Sequence, residues 1–211
     1  SRVTKANISV RITDDFMEAV ELNLPYTLSY TRPETGETIS KTVNARDVFR
    51  KIAEMNWRTA EPGILFWDRI KTWNLRANTP EFEFAGVNPC AEEPLPEGGS
   101  CLLGSINLAA FVEKPFTPFA SFDYQSFTNT VERAVNALND VLDEGMPLHP
   151  LKEQRNSVRK WRQIGLGIMG LADMLIMMGV EYGSSSAIEL CDEIGIHLAD
   201  TAIDASMTAT K

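Results

Sequence analysis

Polar and apolar residues alternate along Asn7-Ile8-Ser9-Val10-Arg11-Ile12, the period of a half-buried strand. Thr13 then stands as the cap of a helix expected from Asp14 to about Leu22, with acids in its first turn where the helix dipole favours them. Tyr26 to Tyr30 and Thr38 to Val43 flank Pro33-Glu34-Thr35-Gly36-Glu37, which predicts a surface hairpin without chemistry. Asn44 is expected to cap a helix of roughly Ala45 to Thr59, with Val48, Ile52, Met55 and the edge of Trp57 as its apolar face and Pro62-Gly63 as its stop. Ile64 to Trp73 reads as a short buried helix, with Trp67 and Trp73 in the core because aromatics supply large buried area. Asn74 to Gly86 has no clear period and reads as a loop.

The second half is more helical. Pro115 and Pro118 mark a loop, and Ser121 opens a helix expected from about Phe122 to Glu144. Phe127, Val131, Ala134, Leu138 and Val141 recur along it at helical spacing, and Gly145-Met146-Pro147 ends it. Gly165-Leu166-Gly167-Ile168-Met169-Gly170 spells the dinucleotide pattern Gly-x-Gly-x-x-Gly. That motif needs a hydrophobic strand directly before it, and Val158-Arg159-Lys160-Trp161-Arg162-Gln163 is mostly basic and polar. The glycines are read instead as letting a strand pack closely on the following helix, Leu171 to Met178, with Met169, Met174, Met177 and Met178 as core filling. A last helix is expected from Ser185 to Ser206. Cys191 and His197 lie six apart on it, so they share no face and make a poor metal pair; both read as packing residues. His149, between Leu148 and Pro150, reads as a structural or solvated turn residue rather than an acid–base group. Strands mixed with dominant helices give an α/β, helix-rich chain.

Composition narrows the functions open to it. At 44% hydrophobic and 23% charged residues the chain is globular rather than disordered. A formal net charge of −9 argues against a broad nucleic-acid-binding surface, yet leaves room for one nucleotide, whose phosphates need only a local pocket. Three cysteines do not make a disulfide scaffold, and the odd count leaves a thiol unpaired, which fits reduced, cytoplasmic chemistry. No apolar run is long enough to span a membrane, and no cysteine–histidine spacing suits zinc, so no metal is expected.

The candidate chemistry sits in Val87-Asn88-Pro89-Cys90-Ala91-Glu92-Glu93-Pro94-Leu95. Pro89, Pro94 and Pro96 exclude a regular helix there and push their neighbours toward extended geometry. In an extended segment Asn88, Cys90 and Glu92 project from one side: an amide, a thiol and a carboxylate in a row. Spacing alone leaves two readings open, a reaction centre or a proline-rich surface loop with one buried cysteine.

A Gly98-Gly99 turn leads to Ser100-Cys101-Leu102-Leu103-Gly104-Ser105-Ile106-Asn107-Leu108. The pair Asn-Pro-Cys-x-Glu and Cys-x-Leu-Gly-Ser-Ile-Asn-Leu resembles the active-site finger loop of ribonucleotide reductases, and Arg162 to Asp173 resembles a further segment of that family's barrel. The Asn-Pro-Cys form and the 11-residue step from Cys90 to Cys101 are most similar to class II, the adenosylcobalamin-dependent enzymes. The resemblance covers most of the chain and implies a central fragment, residues 1–211, of a ten-stranded α/β barrel, with the finger loop at about residues 86–97.

It also implies a chemistry and a set of roles. Ribonucleotides are reduced to 2′-deoxyribonucleotides by a thiyl radical on Cys90, with Glu92 as general base, Asn88 holding the ribose hydroxyls and Cys101 as one of two redox-active thiols. The second thiol, the specificity loop and the phosphate-binding motif of the family are expected outside this chain, which on that reading is inactive alone. Adenosylcobalamin is the implied cofactor and an external dithiol, thioredoxin-like, the implied reductant. The implied substrate is a ribonucleoside diphosphate or triphosphate, and the implied parent a homodimer. Two alternatives stay open: a class I large subunit, whose radical comes from a separate metal-containing subunit, and a thiol–disulfide module using Cys90 and Cys101.

Overall fold

The computed structural model describes residues 6–74, 76, 78–100 and 102–209. The chain divides into two compact units, Ser1–Pro94 and Leu95–Lys211.

In the first unit, strand β1 (Ser9–Ile12) leads into helix α1 (Asp14–Glu21), the hairpin strands β2 (Pro25–Thr31) and β3 (Thr38–Asn44), helix α2 (Ala45–Thr59), strand β4 (Gly63–Phe66) and helix α3 (Trp67–Thr72). β1 and β4 pair in parallel, Ser9 opposite Gly63 and Ile12 opposite Phe66, so everything between them is the crossover that a parallel pair requires. The alternation of β1 does its expected work: Ile12 enters a core with Phe16, Ala19 and Ala45, and the Phe16 ring meets Tyr26 edge-on at 5.1 Å. Asn44 caps α2 as its sequence position predicts, its side chain accepting from the Asp47 N–H at 3.0 Å. Thr13 stands at the cap of α1 but makes no capping bond; its hydroxyl lies 3.5 Å from that of Tyr26.

Three expectations in this unit are corrected. Ile64 to Trp73 is a strand followed by a short helix, because β1 offers Ile64, Leu65 and Phe66 a pairing edge. Trp67 is buried, with the Arg11 guanidinium over its ring, but Trp73 lies past the end of α3 and is 84% exposed. Trp57 is 83% exposed, since nine residues after Val48 is two and a half helical turns and places it on the opposite face.

A short strand β5 (Gly86–Val87) closes this unit, and β6 (Pro94–Leu95) stands where the chain passes into the next. The second unit contains β7 (Leu103–Asn107), β8 (Val112–Glu113), β9 (Ser121–Phe122), helices α4 (Tyr124–Gly145) and α5 (Lys152–Trp161), β10 (Gly165–Met169), and helices α6 (Leu171–Met178) and α7 (Ser185–Ala209). β7 and β10 run parallel, Leu103 opposite Gly165 and Asn107 opposite Met169. Ile106, Leu108, Phe122, Phe127, Val131, Met174, Leu175, Ala187 and Ile194 form its core.

Here too the boundaries move for physical reasons. Ser121 and Phe122 belong to β9, which pairs with β8, so the cap of α4 passes to Asp123, whose carboxylate accepts from the Ser126 N–H at 3.0 Å. Val141 faces outward and Leu142 takes its place in the buried stripe. Met174 fills the core as expected, whereas Met169, at the end of β10, is exposed. Gly165 and Gly167 lie within β10 and Gly170 caps α6, so the glycine pattern is a strand with a helix entry rather than a loop after a strand. The tightest approach is at Gly170, where φ is +71° and the absent Cβ leaves room for the Asn107 side chain.

The described strands form only two-stranded ladders, so the α/β architecture is present without a closed barrel. Among the described residues no helix is long and apolar enough to cross a membrane.

Arg162 ties the α5–β10 connection to α4. Its guanidinium holds both carboxylate oxygens of Asp143, one at 2.9 Å, and donates to the Asn139 side-chain oxygen at 3.1 Å. Donation from Arg162 holds the Asp143 carboxyl below its ordinary value of 3.8. A carboxyl depressed in the fold contributes stability above its unfolded value and loses it as pH falls through the folded one. Arg162→Ala is therefore expected to lower stability at neutral pH and to leave a smaller acid-induced loss below about pH 4. Urea melts at pH 7 and pH 3 check this, and an unchanged pH dependence would remove the pair from the account.

Candidate functional site

Cys90 lies at the tip of a turn, not on an extended segment. The Ala91 N–H donates to the Asn88 carbonyl at 3.0 Å, which closes a four-residue turn with Pro89 in its second position and Cys90 in its third. Proline suits that second position because its ring presets φ. The next ring closes around Asn88 as well. Its N–H donates to the Glu93 carbonyl at 3.1 Å, and its side-chain oxygen accepts from the Glu93 N–H at 3.0 Å. Ala91 sits at φ +70°, a conformation an L side chain seldom adopts.

The turn separates side chains that alternation would align. Asn88 is 6% exposed and faces inward, while Cys90 and Glu92 are exposed. The expected row of amide, thiol and carboxylate is thus corrected: prolines forbid helix, but they permit a turn as readily as an extended run. The non-helical character of residues 88–92 holds, and Cys90 is not the buried cysteine of the alternative reading.

Two cavities adjoin the turn. One of about 180 Å³ brings Cys90 together with Asn7, Ser9, Glu61, Gly63 and Pro89. The other, about 340 Å³, adds Arg11 and Asn88 to Asn7, Ser9 and Pro89. The polar positions of β1 therefore line the space under the cysteine turn, a role its alternation could have signalled, since its apolar residues already fill the core. Glu61 is engaged there, accepting from the Ile8 N–H at 3.3 Å.

Cys101 lies outside the described residues. His149 is half-buried beside an apolar cavity of about 320 Å³ in the second unit, and its carbonyl accepts from Arg155. His197 packs its ring 4.7 Å from that of Tyr124, whose hydroxyl donates to Glu193 at 2.7 Å. Burial, then that bond to Glu193, raises the Tyr124 phenol well above its ordinary range. Among the described residues no group of three or more His, Cys, Asp or Glu could hold a metal ion.

The family model described as ribonucleotide reductase, barrel domain, matches residues 1–211. A Thermoplasma acidophilum protein named vitamin B12-dependent ribonucleoside-diphosphate reductase is 36% identical over 205 residues, which are 97% of this chain and 25% of that protein. A Mycobacterium tuberculosis protein of the same name is 33% identical over 206 residues, 98% of this chain and 28% of that protein. Among solved structures, the Actinobacillus ureae class Id ribonucleotide reductase alpha subunit superposes with a TM-score of 0.71 over 96% of this chain and 35% of that one, at 19% identity, a likeness of fold. The chain spans about a quarter of the length of these curated relatives.

Proposed function

The chain belongs to the ribonucleotide reductase barrel-domain family, and from that premise we propose that it is the central part of a catalytic barrel whose finger loop, at about residues 86–97, serves the reduction of ribonucleotides to 2′-deoxyribonucleotides. The observation that carries this reading is an exposed Cys90 thiol at the tip of a doubly closed turn. An exposed thiol held on so short a loop can meet both a radical source and a ribose without rearrangement.

Removing the 2′-hydroxyl needs radical chemistry, which no side chain begins alone. Adenosylcobalamin, named through the vitamin B12-dependent relatives, supplies that radical when bound, and the exposed Cys90 thiol is the group of this chain that fits it. As a thiyl, Cys90 takes the 3′-hydrogen of the substrate ribose. Glu92, exposed two residues on, accepts the 3′-hydroxyl proton, and Asn88 bonds the ribose hydroxyls. Cys101 gives reducing electrons and is regenerated by a thioredoxin-like dithiol. The substrate is a ribonucleoside diphosphate, as in the relatives' names, or a triphosphate, and the enzyme is cytoplasmic.

A test is to graft residues 1–211 into the Thermoplasma acidophilum relative and measure turnover with adenosylcobalamin and a dithiol. Activity with adenosylcobalamin supports the class II reading of this segment, and a folded graft without activity counts against it. Glu92→Gln in that enzyme is expected to slow the chemical step by about 10²–10⁴-fold with substrate binding kept, since the amide preserves shape but takes no proton. The isolated chain is expected to show little turnover. A Glu92→Gln enzyme as fast as the parent would remove the general base from the mechanism.

A further inference from the structure

We propose that Asn88 is the positioning residue of the Cys90 turn, acting on catalysis through the loop it closes; this rests on the reading of Cys90 as the radical residue. Three of its polar groups bond across the turn. The carbonyl accepts from the Ala91 N–H at 3.0 Å, the N–H donates to the Glu93 carbonyl at 3.1 Å, and the side-chain oxygen accepts from the Glu93 N–H at 3.0 Å. The first two belong to the backbone and survive any substitution that keeps the fold. The third depends on the asparagine side chain.

That side chain is 6% exposed, which makes the bond more than a surface ornament. Losing it leaves the Glu93 N–H without its acceptor in a half-buried place. Ala91, at φ +70°, lies between the two ring closures. Such a conformation persists where the surrounding bonds over-determine it. With the side-chain bond gone, Ala91 is held by the two backbone closures alone, and any relaxation of its φ moves Glu92 relative to Cys90. The spacing of thiol and base is thus set by a residue that precedes both.

A positioning role and a substrate-holding role differ in what they disturb. If Asn88 acts through the turn, removing its acceptor misplaces the sulfur, and a displacement near 1 Å lowers kcat by about 10²-fold whatever happens to KM. If it only grips the ribose, KM rises.

The experiment has two arms. In the 211-residue chain, hydrogen exchange is followed at the Glu93 amide in wild type, Asn88→Leu and Asn88→Asp, with the amides of the β2–β3 hairpin as the control for folding. Leucine removes the acceptor at similar volume; aspartate keeps an oxygen in its place. Asn88→Leu is expected to speed exchange at Glu93 by about five- to tenfold while the hairpin is unchanged, and Asn88→Asp to restore protection. Asn88→Ala gives the same comparison should leucine prevent folding. In the grafted full-length enzyme, Asn88→Leu is expected to lower kcat in addition to any rise in KM from the lost ribose bond, with Asn88→Asp recovering most of the rate. Unchanged Glu93 exchange in the leucine variant, or a rise in KM with kcat kept, overturns the proposal. Turnover retained in Cys90→Ser would instead overturn the radical reading, and the exchange arm would still decide whether Asn88 closes the turn.

Discussion

Gly170→Ala is expected to destabilise the second unit by about 3 kcal/mol or more. Two costs coincide at this position. The residue sits at φ +71°, where an L side chain loses about 1–2 kcal/mol. A Cβ built there also falls inside the contact radius of the Asn107 side-chain oxygen, with the Ala109 nitrogen 3.5 Å away. Asn107 cannot withdraw freely, because that oxygen accepts from the Ala109 N–H at 3.2 Å and so caps the turn that follows β7. Displacing it removes a cap, typically about 1 kcal/mol. Gly179 supplies the control: it has φ +70° but nothing lies within 4 Å of where a Cβ would stand, so Gly179→Ala carries the conformational cost alone. Urea denaturation of the two variants reads the difference. Equal midpoints would mean that the Asn107 contact yields without cost. A Gly170→Ala, Asn107→Ala double variant is expected to recover part of the loss.

The second large effect is functional and separates two cysteines by role in the full-length enzyme carrying this segment. Cys90→Ser is expected to abolish both turnover and hydrogen exchange at the ribose 3′ position, since an O–H bond is much stronger than S–H and serine cannot form the radical under the same driving force. On the proposed roles, Cys101→Ser removes only a reductant. Abstraction of the 3′-hydrogen then still begins, and the substrate radical decomposes with release of base. Tritium washout from 3′-labelled nucleotide and base release distinguish the two variants. Identical phenotypes, with neither variant starting 3′-abstraction, would favour a Cys90–Cys101 redox pair, which disulfide mapping after oxidant titration would then detect.

What the sequence makes legible depends on how local the determining interaction is. α2 is bounded by a side chain three residues from its partner, Asn44 to Asp47, and α6 by the glycines at 170 and 179; both helices follow from short windows. β4 does not, because a four-residue strand carries almost no period and its partner β1 lies beyond α2, the hairpin and α1 in the chain. The site divides the same way. The prolines show that residues 88–92 are not helical, yet the choice of turn over extension rests on the Asn88 bonds to Ala91 and Glu93, which no periodicity encodes. Trp57 and Trp73 illustrate the limit of residue type: size favours burial, but helix phase and helix end placed both outside.

The parallel pairing of β1 with β4 has a kinetic consequence. Ser9 and Gly63 are far apart in the chain, and the hairpin β2–β3 and helix α2 between them shorten the span that their pairing must close. A hairpin closes in about 1–10 μs, whereas joining distant strands carries a loop-closure entropy that no local contact repays beforehand. Residues under the Cys90 turn, Ser9 and Gly63 among them, are therefore expected to assemble after the hairpin. The cavity beside the thiol is accordingly expected to follow the hairpin in folding, and on a ribosome it waits until Pro89 and Cys90 themselves have emerged.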